Sequence, residues 1–323
     1  MTNQIITQQT IERRARWLDE IVQISGHFGN DSTRIEAELL EEVNADGCGA
    51  ILDHLRLAGA IPEHYGHDSS EEKLYSKYTD ALLSTSFTHM GLNSVVLSER
   101  ADAADVEAAT QDYALVADAK AFRLSRTAKN QKDFKVEAMH SWKRGKPFAI
   151  VVCPIYQLPN RSSQIYQQAI SRTVCIFTYS HLAVLVRLAE ATSHTIALDA
   201  LHQILKATEP LNPSKEAMPY WYQVNRTMLG THACIADLWQ EEKIANLESI
   251  KAAKEEGLTA LANERQRILQ MSHDEAIQAL IRDKNIDGRT RVISAVSDSG
   301  ILSISSHISQ MGMEKSGNLG GIV

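Results

Sequence analysis

A chain of 323 residues with 44% apolar and 23% charged side chains has the composition of an ordinary globular protein, with material for one large core or two smaller ones. A net charge of −7 argues against a protein that coats nucleic acid over its whole surface, and no apolar run approaches the roughly 20 residues that span a bilayer. Cys48, Cys153, Cys175 and Cys234 are scattered without CxxC or zinc spacing, and the start is polar around Glu12, Arg13 and Arg14; both features are those expected of a cytoplasmic protein with reduced thiols and no secretory leader.

Ile11, Leu18, Ile21 and Val22 recur at helical spacing and predict a helix over 11–24. Two shorter helices are expected over 33–43 and 49–57, with Gly47 and Gly49 as breaks. These read as packing elements. His64, His67 and Asp68 could suggest a metal cluster, but they fall in a loop just before Ser69-Ser-Glu-Glu72, a capping-box pattern that starts a helix. That helix is expected to run from 70 to 89 and to bury Leu74, Tyr78, Leu82 and Phe87. Glu72 lies on it, as a cap or as an acid lent to a site.

After Gly91 come a short strand over 94–97 and an acidic segment offering Glu99, Asp102 and Asp105. Residues 113–122 then predict a buried strand. Leu115, Val116, Ala117, Ala119 and Phe122 are apolar, and only Asp118 and Lys120 interrupt them. A charge in an apolar strand is costly unless paired or bound to metal. Side chains at i and i+2 share a strand face, so Asp118 and Lys120 project together. A carboxylate beside a lysine suits metal-dependent phosphodiester hydrolysis, the acid holding the ion and the lysine orienting water or stabilising phosphorane charge. Asp105 stands 13 positions before Asp118, a spacing that suits an adjacent hairpin strand. The chain has four acid-x-Lys triplets (Glu71/Lys73, Asp118/Lys120, Asp133/Lys135, Glu241/Lys243), so the pattern alone is weak. Only the Asp118 copy sits in an apolar strand.

Between Lys120 and Lys146 nine Lys/Arg face two acids, a local excess of +7 in a chain of net charge −7. Such asymmetry is the footprint of phosphate binding, although charge runs are often only solvated faces. Arg123, Arg126, Asn130, Gln131 and Asp133 are side-chain types that read base edges. Ser125 lies among them, and Lys129, Lys132 and Lys135 suit phosphates. From 127 to 142 the pattern turns helical, with Phe134, Ala138, Met139 and Trp142 on one side and the basic residues on the other. Buried strands are expected over 147–154 and 173–178, and helices over 164–170, 181–191 and 194–206. This alternation around a mixed sheet flanked by helices predicts an α/β fold. Pro210, Pro213 and Pro219 mark a linker. Beyond it 220–271 is helical, with Leu238, Ile244, Leu247, Ile250, Leu258, Leu261 and Ile268 near heptad spacing and Gly257 as a weak point that could separate two helices. The bland reading is a helical lobe on the core and the sharper one a dimer arm. The tail from Ser297 is rich in Ser and Gly and is expected to be poorly ordered.

The run V-A-D-A-K-A-F-R-L-S-R-T-A-K-N-Q-K-D-F-K-V from Val116 closely resembles the corresponding segment of the HindIII-like type II restriction endonucleases. I-P-E from Ile61, S-S-E-E-K-L-Y-S-K from Ser69 and L-S-E-R-A-D-A-A-D-V from Leu97 resemble their upstream segments. The resemblance covers about residues 55–190 and is looser in the helical remainder. It implies a PD-(D/E)XK nuclease core, here 61–210, between helical regions 1–60 and 211–296 and ahead of the tail 297–323. It also implies a homodimer acting on double-stranded DNA, two Mg²⁺ ions per active site, cleavage of AAGCTT with 5′ extensions, and a separately encoded companion methyltransferase. By position, Asp118 and Lys120 match the D-x-K pair, Asp105 the upstream metal carboxylate, and Glu99 an acid just before it. The Ala119 carbonyl would complete the ligands. The family has Gly–Asp–Val where this chain has Ala104-Asp105-Val106, which alters backbone freedom beside the metal. A repair or structure-specific nuclease of the same fold, or a DNA-binding protein without cleavage, are the rival readings. The match through the base-reading run argues against the first, and intact Asp105, Asp118 and Lys120 against the second.

Overall fold

The computed structural model describes residues 4–26, 28–97, 103–126 and 131–296. Glu99, Asp102, Lys129, Asn130 and the tail 297–323 lie outside the described residues. The chain divides after Leu261 into two units.

In the first unit a five-stranded sheet is made of β1 (Asn93–Val96), β2 (Val106–Ala109), β3 (Ala114–Ala119), β4 (Phe148–Cys153) and β5 (Val174–Thr178), side by side in that order. The first three strands run antiparallel and the last two run parallel to β3, so the sheet is mixed, as the alternation of elements predicts. β4 and β5 are buried at every position, which explains why they read as unbroken apolar runs. Before the sheet come α1 (Gln8–Ile24), α2 (Phe28–Asp46), α3 (Cys48–Leu57) and α4 (Ser70–His89). Ser69 caps α4 by accepting from the Glu72 amide. From Tyr78 to Phe87 that helix is buried on all sides, because it packs on the sheet and on neighbouring helices.

The helix expected over 127–142 is observed as α5 (Gln131–Phe134) and α6 (Val136–Trp142), separated by Lys135 in the left-handed region at φ 46°. α7 (Gln164–Arg172) and α8 (Tyr179–Ala191) follow the last two strands, then α9 (His194–Lys206) and α10 (Ala217–Thr231). Pro219 is not in a linker. It sits in the first turn of α10, where its missing N–H costs no helical bond.

α11 (Ile235–Gln270) corrects two expectations. The break comes at His232–Cys234, and the helix runs unbroken through Gly257, which is buried where a Cβ would stand 3.2 Å from Glu63 Cγ. The inward face is built from Ala245, Ser249, Ala253 and Gly257, whose i+4 spacing lets the backbone approach closely. Ile244, Leu247, Leu258 and Leu261 are exposed instead. Acids fasten this helix to the chain's beginning. Glu248 accepts from the Ile5 and Ile6 amides at 2.8 Å, Glu256 pairs with buried Arg14 at 2.7 Å, and Glu242 pairs with Arg56 at 2.6 Å.

The second unit holds the end of α11 with α12 (His273–Asp283) and α13 (Ile286–Ser294). A complete capping box, Ser272 with Glu275, starts α12, and neither of the last two helices buries a residue.

Candidate active site

β2 and β3 form a hairpin in which Val106 faces Ala117. Asp105 precedes β2, so the same register carried one step on brings it opposite Asp118 near the end of β3. Asp118 is 1% exposed in a strand otherwise made of Ala, Leu and Val. Lys120 lies just beyond the strand, yet its amide still donates to the Val152 carbonyl at 2.7 Å. That bond continues the pleat and keeps Lys120 on the Asp118 face. Its ammonium donates to Asp118 Oδ1 at 2.6 Å and stands 2.5 Å from Oδ2.

A third carboxylate comes from α4. Asp80, 2% exposed, brings an oxygen within 4.8 Å of oxygens of both Asp105 and Asp118. The reading of the sequence did not single it out. The signal was present: Asp80 is the one charge between Lys77 and His89 in a helix segment of small and apolar residues. Lys77, one turn earlier, donates to Asp105 Oδ1 at 3.0 Å and lies 3.6 Å from Asp80 Oδ2.

Burial pushes the Asp80 carboxyl well above its ordinary range, and Asp105 and Asp118 add to the rise, against Lys77 and Lys120. For Lys120 burial works against the ammonium, but Asp118, Asp80 and Asp105 outweigh it and lift the group above its ordinary value. Lys77 behaves alike, with Asp80 and Asp105 overcoming burial. Both lysines are therefore cations at neutral pH. Asp80 Oδ1 is buried and accepts no hydrogen bond, and Asp118 Oδ2 has the Lys120 ion pair but no bond of regular geometry. Orphaned carboxylate oxygens in an all-oxygen donor set fit a hard dication such as Mg²⁺.

Glu72 does not join this cluster. Its carboxylate accepts from the Asp68 amide and the Arg123 guanidinium, both at 2.6 Å. Arg123 also donates to the Tyr65 and Gly66 carbonyls, at 2.8 and 3.0 Å, so it ties the exit of β3 to the start of α4. Ser125 is held by Glu63. Arg126 pairs with Asp133 and lies over the Phe122 ring. Gln131 and Lys132 are exposed, and Lys135 stands over the Trp142 ring. Part of the basic excess is internal. Lys143 donates to the Arg172 carbonyl at 2.8 Å and Lys146 pairs with Glu107 at 2.9 Å. His67, Asp68 and Glu72 do lie close together, but His67 and Asp68 are largely exposed.

With this geometry in place, the chain matches the sequence model of the HindIII restriction endonuclease family over residues 15–297. It is also 33% identical over 254 residues to the type II restriction enzyme HindIII of Haemophilus influenzae, across 76% of this chain and 83% of that one.

Proposed function

As a member of the HindIII restriction endonuclease family the chain is a type II site-specific deoxyribonuclease, and we propose that it cuts double-stranded DNA at AAGCTT by Mg²⁺-dependent hydrolysis, leaving 5′-phosphates and 5′ extensions. The observation that carries the chemistry is the convergence of Asp80, Asp105 and Asp118 beside Lys120. The three carboxylates would hold Mg²⁺, with the Ala119 carbonyl completing the ligands and Glu99 supporting a second ion. The metal, when bound, polarises the phosphate and makes its water acidic. Lys120, whose ammonium lies against Asp118, would donate hydrogen bonds to the attacking water and the phosphate oxygens. Hydrolysis joins the water oxygen to phosphorus, breaks the bond to the 3′ oxygen and leaves the proton there. A buried site keeps these charges strong by excluding bulk water.

DNA would lie along the face of Arg126, Gln131, Lys132 and Lys135, with Arg123 and Ser125 bracing it from beneath, and the resemblance adds Lys129 and Asn130 to the DNA-contacting set. A palindrome calls for a twofold dimer in which each subunit cuts one strand. The exposed Ile244, Leu247, Leu258 and Leu261 on α11 support a second copy as the partner. Among the described residues no helix is long and apolar enough to cross a membrane. A cytoplasmic enzyme with a separately encoded methyltransferase is the corresponding setting.

The test is digestion of a randomised duplex library with Mg²⁺, followed by sequencing of the ends. The expected result is AAGCTT with 5′ extensions. Another consensus would move the specificity elsewhere, structure-dependent cutting would favour a repair enzyme, and binding without cutting would favour a decayed nuclease.

A further inference from the structure

A second group of ligand-type side chains lies apart from the carboxylate cluster. Cys48 opens α3, His89 closes α4 and Glu190 is near the end of α8. One ligand atom from each, Sγ, imidazole nitrogen and carboxylate oxygen, lies within 4.8 Å of the others. His89 Nε2 is 3.4 Å from Glu190 Oε1. A tetrahedral zinc with bonds near 2.0–2.1 Å to nitrogen and oxygen sets adjacent ligands about 3.4 Å apart. That edge is already in place, and Sγ lies within 4.8 Å of both atoms.

From these positions we propose that Cys48, His89 and Glu190 bind a transition-metal dication of the zinc class, with water in the fourth position. The donor set differs in kind from the active site. A thiolate and an imidazole favour zinc-like ions, whereas three carboxylates favour Mg²⁺. The neighbouring cations Arg187 and Arg56 pair with Glu241 and Glu242, while Glu190 lies beside His89. Glu190 is half exposed, which leaves the ion a route in. Only a thiolate binds such an ion, so binding near pH 7 displaces a proton from the Cys48 sulfur. The ion would clamp the end of α4, whose middle carries Lys77 and Asp80, to α3 and α8. Asp80 and His89 are nine residues apart on that helix, about 14 Å at 1.5 Å per residue.

The experiment uses the full chain, stripped with chelator and titrated with Co²⁺ as a spectroscopic probe. One equivalent should give a thiolate-to-cobalt charge-transfer band with tetrahedral visible bands. The band should survive in Asp118→Asn and vanish in Cys48→Ser. Zn²⁺ at a hundredfold over its Kd should displace the cobalt, release about one proton at pH 7 and raise Tm by roughly 3–5 °C. Should Cys48→Ser fold poorly, Glu190→Gln changes only a half-exposed side chain and should weaken binding about ten- to a hundredfold. A wild-type spectrum without the thiolate band overturns the proposal, as does a band that persists in Cys48→Ser or unchanged affinity in Glu190→Gln. None of these readouts depends on DNA cleavage.

Discussion

Lys77 Nζ stands 3.0 Å from Asp105 Oδ1, so a helix lysine holds one of the carboxylates proposed to bind the metal. Lys77 and a dication compete for the same negative charge. Lys77→Met should therefore raise Mg²⁺ affinity roughly three- to tenfold, as expected for removing one nearby cation. Calorimetric titration with Mg²⁺ in the absence of DNA measures this. Unchanged or weaker affinity would show that Lys77 positions Asp105 for the ion and does not rival it.

Asp80→Asn and Asp118→Asn should each lower cleavage by at least about a thousandfold, the scale of losing preorganised charge at a reacting centre. Specific DNA binding should be spared, because asparagine nearly preserves shape. Single-turnover cleavage and a gel-shift assay on one duplex separate the two effects. Near-normal cutting by Asp80→Asn would remove it from the ligand set. The comparison variant is Lys135→Ala, which should weaken binding and leave the cleavage step intact. The reverse pattern would place the catalytic pair at Asp133 and Lys135.

Lys132 is exposed beside the proposed DNA face. Lys132→Ala should weaken binding to all sequences alike and reduce the salt slope by about one. Arg126→Ala should instead cost about 1–3 kcal/mol of discrimination against altered sites. Competition binding at two salt concentrations distinguishes these. Equal loss on cognate and unrelated DNA in Arg126→Ala would reduce that arginine to a phosphate contact.

His181 is buried at the start of α8, with Nδ1 2.6 Å from Thr178 Oγ1 and Nε2 2.8 Å from Asn225 Oδ1. Burial pushes its pKa down to about 4. In the unfolded chain it titrates near its ordinary value of about 6.5. Between these values the unfolded state binds more protons, so stability is full above about pH 6.5 and falls as pH drops towards 4. The loss from this group is on the order of 3 kcal/mol at the acid end. Urea unfolding at pH 7 and pH 4.5 measures the loss, and an imidazole NMR titration of the native protein assigns it. A native-state midpoint near 6.5 would contradict the buried neutral ring.

Asp118 and Lys120 were legible because two charges in an apolar strand demand a partner or an ion. Asp105 followed from hairpin spacing. Asp80 carried the same kind of signal, a lone charge in a buried segment, but nothing local pointed to its partners, which arrive from strands distant in sequence. For Glu72 the capping-box pattern was the better guide: its amide donates to Ser69 and its carboxylate is spent on the Asp68 amide and Arg123. The docking face of α11 was not legible because small residues carry little hydrophobic signal: Ala245, Ser249, Ala253 and Gly257 make the close approach, while Ile244, Leu247, Leu258 and Leu261 stay exposed. A run of basic residues shows charge but not its use, and Lys143 and Lys146 turned out to be fastened inside the fold.

The clasp between Arg14 and Glu256 spans 242 positions of the chain. Contacts of such separation are late events in folding, because a long loop must close before they form. On the ribosome, at about 5–20 residues per second, roughly 10–50 s pass between the synthesis of the arginine and that of its partner. During that interval Arg14 cannot be buried in its native pairing, since an unpaired buried charge costs about 3–5 kcal/mol. α1 and the segment around Leu57 and Ala60 that Arg14 holds therefore settle last, although they are made first. A nascent or prematurely terminated chain that stops short of Glu256 lacks this closure, and Arg14 has no carboxylate there to pair with.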